Sequence, residues 1–293
     1  MSRQLVHPYT PLAGARWLRG NLHTHTNRSD GLCTPQQVID DYAARGYDFL
    51  AITDHDRVWT DDDCAALDAK GMTLIAGNEI TDGGPHLLHI HPTRLIDPAG
   101  PREQVIQNAA ADRGFVVVNH PNWQERFDHC PLPRLLAWTD YIGMEIYNGV
   151  IGRLDGSPYA TNKWDMLLAA GRRIWGLAND DSHAPMDVGL GWNMVCAADR
   201  SAAAIVDALA AGRFYATTGV VIRHIEVDGL RVRLETKNAQ RIVALRQTGT
   251  RFAVADAPHI EVQVPEDAQY VRFECWGPAE QFAWTQPMFM ADN

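Results

Sequence analysis

Leu22-His23-Thr24-His25-Thr26, with Ser29-Asp30-Gly31 close behind, is the stretch that decides how this chain is read. Alternate residues of a strand share a face, so a strand ending here aims both imidazoles at one point. Imidazole nitrogen suits zinc, iron, nickel and copper, and carboxylate oxygen suits manganese as well. A His-x-His pair by itself is a common surface or core feature. Its weight here comes from its companions further along the chain.

Short apolar runs recur, and each closes on groups that can ligate a metal. Residues 49–52 run into Thr53-Asp54-His55-Asp56, and residues 73–76 into Gly77-Asn78-Glu79. Leu87-Leu88 leads to His89-Ile90-His91, residues 115–118 to Asn119-His120-Pro121, and residues 174–178 to Asn179-Asp180-Asp181-Ser182-His183. Runs of this length read as buried parallel strands. Between them, helices are expected over residues 35–44 behind Thr34, and over 61–70, 102–113, 162–170 and 200–211, each closed by a glycine. This is the βα alternation of a parallel barrel, whose chemistry gathers at the C-terminal ends of its strands.

His23-Thr-His25, Asp30, Thr53-Asp54-His55, Glu79, His89, His120 and Asp181-Ser-His183 keep the order of four motifs. Together they resemble the PHP family (polymerase and histidinol phosphatase) over roughly residues 18 to 220. The resemblance implies an α/β fold, a distorted (β/α)7 barrel, with two or three divalent ions (Mn, Fe or Zn). It also implies hydrolysis of phosphoester bonds through a hydroxide bridging two ions. His23, His25 and Asp181 would hold the first ion. Glu79 would bridge to a second, which also takes His89 and His120, while Asp30, His55 and His183 would hold a third. Glu79 and Asp181 would thus stand at the centre of catalysis.

Other polar residues have duller readings. His89 and His91 share one strand face, so a single one serves as ligand; spacing after Glu79 favours His89 and leaves His91 as a pocket acid or a surface residue. His86, in a Gly-Gly-Pro turn, reads as solvated. His7, His129, His224 and His259 match no motif. Asp54 and Asp56 read as imidazole supports or helix caps, and Asp180 as a support or surface residue. PHP phosphatases often place an arginine soon after the His-Pro pair. Here His120-Pro121 is followed by Asn122-Trp123-Gln124-Glu125, leaving Arg126 or Arg153 as substitutes for gripping phosphate.

Composition narrows the field. The 293 residues carry 26 basic and 36 acidic side chains, for a net charge of −10. Such a surface repels long nucleic acid, while a small anionic substrate remains compatible with bound cations. No apolar stretch is long enough to span a membrane, and residues 1–8 lack the apolar core of a leader, so a cytoplasmic protein is expected. The five cysteines form no Cys-x-x-Cys pair and read as reduced thiols.

Beyond residue 219 the period changes. Alternating runs at 221–227, 230–234 and 259–264, with Asp228-Gly229 and Gly249 as turn signals, predict antiparallel strands with one solvated face. The chain is therefore divided into a barrel over 1–219 and a small β-sandwich-like unit over 220–293. Residues 211–219 with the β-rich tail resemble the branch of PHP-related proteins that includes carbamate-cleaving metallohydrolases. The expected function is a metal-dependent phosphoesterase acting on a small phosphate ester. A carbamate, ester or amide hydrolase on the same cluster is the alternative, and a non-catalytic metal-stabilised module the third reading.

Overall fold

The computed structural model describes residues 3–10 and 12–291. Met1 and Ser2, at the head of the segment read for a leader, lie outside the described residues. Through the first part of the chain the elements are β1 (Leu5–Val6), β2 (Arg16–Asn21), α1 (Pro35–Ala44), β3 (Phe49–Ala51), α2 (Asp61–Ala65), β4 (Thr73–Ile75), β5 (Gly77–Ile80), β6 (Leu87–Ile90), α3 (Arg102–Ala110) and β7 (Phe115–Val118). They continue as α4 (Leu132–Ala137), β8 (Gly143–Asn148), α5 (Thr161–Ala169), β9 (Trp175–Asn179), β10 (Trp192–Ala197), α6 (Ala202–Ala210) and β11 (Phe214–Thr217).

Local chemistry explains several boundaries. Thr34 caps α1 in a reciprocal box with Gln37, and Pro35 occupies the first helical position. Thr60 and Asp63 form the same box on α2. That helix is shorter than the expected 61–70. Asp68 accepts from the Lys70 main-chain N–H at 3.0 Å, and this local turn replaces further helix. Among the elements that carried no clear sequence signal are α4, β8 and β10. In β8 a charged residue, Glu145, interrupts the apolar run, and its burial becomes intelligible only from its partners.

The strands fall into three sheets rather than one ring. One runs β2-β3-β4 in parallel, with β10 antiparallel on the other side of β2 and β11 beyond it. Another runs β5-β6-β7-β8-β9; it is antiparallel across β5, β6 and β7 and parallel from β7 to β9. The expected (β/α)7 barrel of parallel strands is therefore not what forms: the fold is mixed α/β, and no closed ring is seen. The β5–β6 hairpin, with its short connection, forces the antiparallel pairing that a crossover helix would have avoided. Two isolated parallel bridges, His55↔Glu79 and Thr24↔Ser182, join these sheets where the candidate ligands sit. Leu22, Phe49 and Ile75 from one sheet meet Leu88, Val117 and Leu177 from the other in a shared buried core.

The tail supplies β12 (Ile222–Asp228), β13 (Arg231–Thr236), β14 (Arg241–Arg246), β15 (Thr250–Ala255), β16 (His259–Gln263), β17 (Tyr270–Trp276), β18 (Phe282–Thr285) and β19 (Met288–Met290). As the alternation predicted, β12-β13-β16 is an antiparallel sheet, and Gly229 at φ 60° makes the tight Asp228–Arg231 turn. Two of the remaining tail strands pair across the expected boundary at 219/220. β18 pairs with β11 and β19 pairs with β1, so their hydrogen bonding is continuous with that of β10 and β2. A buried ion pair also ties the tail down: Arg272 of β17 donates from Nε (2.8 Å) and Nη2 (2.6 Å) to Asp165 of α5. No helix among the described residues is long and apolar enough to cross a membrane.

Candidate metal centre

Glu79, fully buried on β5, is the point on which the histidines converge. Its Oε1 lies 3.3 Å from His23 Nε2, 3.4 Å from His120 Nε2 and 3.1 Å from His86 Nδ1. Its Oε2 lies 3.4 Å from His25 Nε2 and 2.8 Å from His55 Nδ1. Asp181 closes one flank, with Oδ1 at 3.1 Å from His23 Nε2 and 3.0 Å from His25 Nε2. Asp30 closes the other, with Oδ2 at 3.4 Å from both His55 Nε2 and His183 Nε2.

Backbone shape delivers these groups. His23 and His25 follow the end of β2, and the loop after them is pinned by Asp54, which accepts from Thr26 N, Thr26 Oγ1, Ser29 Oγ and Trp59 Nε1. Asp54 therefore neither caps a helix nor holds an imidazole; it sets the turn that presents Asp30. Asp56 does similar work on the Thr81 loop. His120 and Asp181 each adopt positive φ, 24° and 55°, just after β7 and β9. That conformation costs free energy for a non-glycine residue, and it turns both side chains toward Glu79.

The arrangement fits metal ions better than it fits hydrogen bonding. His23 Nε2, His25 Nδ1, His55 Nδ1, His120 Nδ1 and Glu79 Oε2 are buried without a hydrogen-bond partner, although several lie close to one another. His55 Nδ1 and Glu79 Oε2 lie 2.8 Å apart. Tautomers agree. His23 Nδ1 donates to Glu145 Oε1 (2.8 Å) and His183 Nδ1 to the Asp181 carbonyl (2.8 Å), which leaves each Nε2 lone pair for a cation. Atoms of His23, His25 and Asp181, of His23, Glu79 and His120, and of His25, Asp30, His55 and His183 each lie within 4.8 Å of one another.

Electrostatics prepare the site. Burial alone would raise the Glu79 and Asp181 carboxyls, yet the surrounding imidazoles hold both well below the ordinary range. Burial likewise opposes charge on His55, but Asp30 and Glu79 raise it to about 10, and the carboxylates around His23 also raise its ring.

The structure revises the histidine assignments. His89 turns away from the cluster, and its Nε2 donates to the Arg113 carbonyl at 3.0 Å. His91, expected as a pocket acid, lies 3.5 Å from Asp61 outside the site. The reason is strand parity. Glu79 pairs across the hairpin with Leu88, and Asn78 with His89; opposed residues share a face, so the Glu79 face of β6 belongs to even numbers. His86, read as a solvated turn residue, takes the place meant for His89. His129, read as unremarkable, supports it: the His86 main-chain N–H donates to His129 Nε2 (3.0 Å), and the two rings sit edge to face.

Glu145 was missed altogether. Buried on β8, it accepts from His23 Nδ1, from the His120 main-chain N–H (2.8 Å) and from the amides of Asn148 (2.8 Å) and Asn179 (2.9 Å). The only sequence signal was a glutamate inside an apolar strand. Lys163 of α5 is a second hidden support. Its Nζ donates to the carbonyls of Pro121 (2.8 Å), Phe127 (2.7 Å) and Cys130 (2.8 Å), fastening the loop between His120 and His129. Asp180 is buried beside Asp181, with its carboxyl raised to about 6 by burial despite donors from Gly189, Leu190, Gly191 and Tyr42. It shapes a loop and does not face the cluster.

A cavity of about 340 Å³ opens over the centre. Trp123, Val150, Ile151 and Leu154 form its apolar wall. Arg153 lines it and Arg126 does not. Arg153 is held by buried Asp187 through Nε (3.0 Å) and Nη2 (2.9 Å), and Asp187 also accepts from the main-chain N–H groups of His183 and Ala184.

Comparison with known proteins agrees with this geometry. Residues 21–129 match the PHP domain. A 3',5'-nucleoside bisphosphate phosphatase of Chromobacterium violaceum is 42% identical over 83 residues, which are 28% of this chain and 29% of that protein, so the chain matches less than a third of its curated relative's length. Among solved structures, a two-domain protein of Bacteroides vulgatus containing a predicted PHP-like metal-dependent phosphoesterase is similar in fold, with a TM-score of 0.56 at 18% identity, covering 98% of this chain and 99% of the other. The convergence on Glu79 and the order of the motifs agree with the match of residues 21–129 to the PHP domain.

Proposed function

We propose that the protein is a metal-dependent hydrolase that cleaves a small phosphate ester. The observation that carries this reading is the convergence of five imidazoles on one buried carboxylate, Glu79, with Asp181 and Asp30 on its flanks. His23, His25 and Asp181 would hold one ion, with Glu79 shared toward a second held by His86 and His120. Asp30, His55 and His183 would hold a third. Manganese, iron or zinc suits this nitrogen and oxygen set, which lacks thiolate. Divalent ions so placed supply Lewis-acid charge for a phosphoryl oxygen and ease ionisation of water near neutral pH.

The chain's own residues do the rest. Glu145 fixes the His23 ring and the His120 backbone, so the ligand atoms are oriented before substrate arrives. Arg153, aimed by Asp187, keeps Nη1 for a phosphate oxygen, which is the role of the arginine missing after His120-Pro121. Trp123, Ile151 and Leu154 receive the organic part of the ester and exclude water. The phosphatase relative supports the reaction class. The division at 219/220 is kept as a proposal about ligands alone: the tail is inferred to contribute none.

A substrate panel tests the reading. The manganese-loaded protein is offered phosphomonoesters, phosphodiesters, aryl carbamates and carboxyl esters. Faster turnover of a phosphate ester is the expected result. Cleavage of the carbamate alone would replace the phosphoesterase reading with the carbamate reading and leave the ligand assignment standing.

A further inference from the structure

A second cavity of about 330 Å³ lies away from the metal centre, where three parts of the chain meet. The segment before β2 contributes Tyr9 and Trp17 enters from β2, while Arg213 precedes β11 and Arg223 and His224 come from β12. Ligand sites favour such junctions, because rigid elements from separate layers can hold a concave wall. The volume is close to that of the metal-lined cavity and lies within the range of small-molecule sites.

Its charge is opposite to that of the molecule. The chain carries −10 overall, yet the cavity wall holds two arginines and a histidine and no carboxylate. Glu226, 3.5 Å from His224, is directed to a different depression with Asp228 and Arg231. Among the described residues, no carboxylate or other acceptor meets the guanidinium of Arg213 or Arg223. The Arg213 Nε–H is buried and without a hydrogen-bond partner. A buried donor left unpaired costs about 1–3 kcal/mol; the buried Arg272 guanidinium, by contrast, is answered by Asp165 and Glu274. Beside these donors, Trp17 stays 41% exposed, resting on Tyr215 at a centroid separation of 5.3 Å. An unpaired guanidinium pair next to an exposed indole is a surface for an acid group joined to a flat apolar body.

We propose that this cavity is a binding site for a small aromatic anion, whose carboxylate or phosphoryl group meets Arg213 and Arg223 and whose ring lies against Trp17. The inference is independent of the chemistry assigned to the metal centre. Calorimetric titration of the metal-replete protein tests it, with benzoate, phenylphosphonate and inorganic phosphate as probes. At least one aromatic probe is expected to bind; the pair tells carboxylate from phosphoryl preference. Arg213→Met with Arg223→Met should weaken binding at least about tenfold, and Trp17→Ala should weaken the aromatic probes more than inorganic phosphate. Arg153→Met, in the other cavity, should leave this binding unchanged. Should the double variant fail to fold, Arg223→Met and Trp17→Ala, both at exposed positions, carry the same test. Absence of binding by both aromatic probes at millimolar concentration, or binding abolished by Arg153→Met and untouched by the Arg213 and Arg223 changes, overturns the proposal. Inorganic phosphate binding as tightly as phenylphosphonate overturns the role given to Trp17.

Discussion

The chain contains two His-x-His pairs with opposite fates. His23 and His25 follow β2 and both reach the space around Glu79. His89 and His91 stand at the end of β6, and neither does. Spacing cannot separate the two pairs, since each repeats at two residues and each puts both rings on one face. What separates them is which face that is. In β6 the face is fixed by the β5–β6 hairpin, and a register that sets Glu79 against Leu88 commits His89 to the other side. A metal motif is therefore a statement about parity as much as about residue type.

Replacing Glu79 with Gln should cause the largest loss. The amide keeps the shape but surrenders the charge shared by the five imidazoles around it. Metal content should fall by about two ions per chain and turnover by at least about 10³-fold, measured by elemental analysis and steady-state rates. Retention of all ions would show that the convergence on Glu79 does not hold the metals.

The next effect distinguishes the two pairs directly. His86→Ala should remove about one ion and lower the rate by ~10²-fold. His89→Ala should leave metal content and rate within about threefold and instead cost ~1–3 kcal/mol of stability, because a buried ring is removed and the Arg113 carbonyl loses its donor. The reverse pattern, with ions lost from His89→Ala and kept in His86→Ala, would refute the parity argument.

Glu145→Gln is expected to weaken metal affinity by about 10–100-fold with little change in fold, since it disturbs the orientation of His23 without removing a ligand. Competition with a chelator reads this directly. Unchanged affinity would reduce Glu145 to a packing residue.

The smallest effect is a proton count. Without metal, His23 and His55 are held protonated through neutral pH by their carboxylate neighbours. A raised folded-state value means that the stabilisation from these pairs is complete below about pH 6.5, the ordinary histidine value, and is lost as pH rises through the folded value, about 10 for His55. Loading metal at pH 7.5 must therefore expel protons from these rings. Calorimetry in two buffers of different ionisation enthalpy should give at least one proton released per chain. A count of zero would mean the rings are already neutral.

Much of this site could be read before folding was considered. His23, His25, Asp30, His55, Glu79, His120, Asp181 and His183 sit at ends of apolar runs, where a one-dimensional pattern and a three-dimensional position coincide. His86, His129 and Glu145 escaped because their meaning lies in pairing: His86 in a hairpin register, His129 in a main-chain donor 43 residues away, and Glu145 in four partners from four segments. The fold shows the same division. The parallel strands β2, β3, β4, β7 and β9 follow from composition, whereas β8, with its buried glutamate, and the antiparallel β5–β6 and β10 pairings depend on partners and connections whose geometry the residues do not announce.

One contact links the far end of the chain to this chemistry. Arg272 neutralises Asp165 on α5, and two residues earlier on that helix Lys163 grips the loop between His120 and His129. During synthesis, every proposed metal ligand has left the ribosome by residue 183, but Asp165, on the helix that steadies the His120 loop, lacks its Arg272 partner until residue 272 emerges. Maturation of the metal site should thus lag behind translation of its own ligands by nearly a third of the chain, and nascent chains arrested before residue 272 should retain metal less tightly than chains arrested after it.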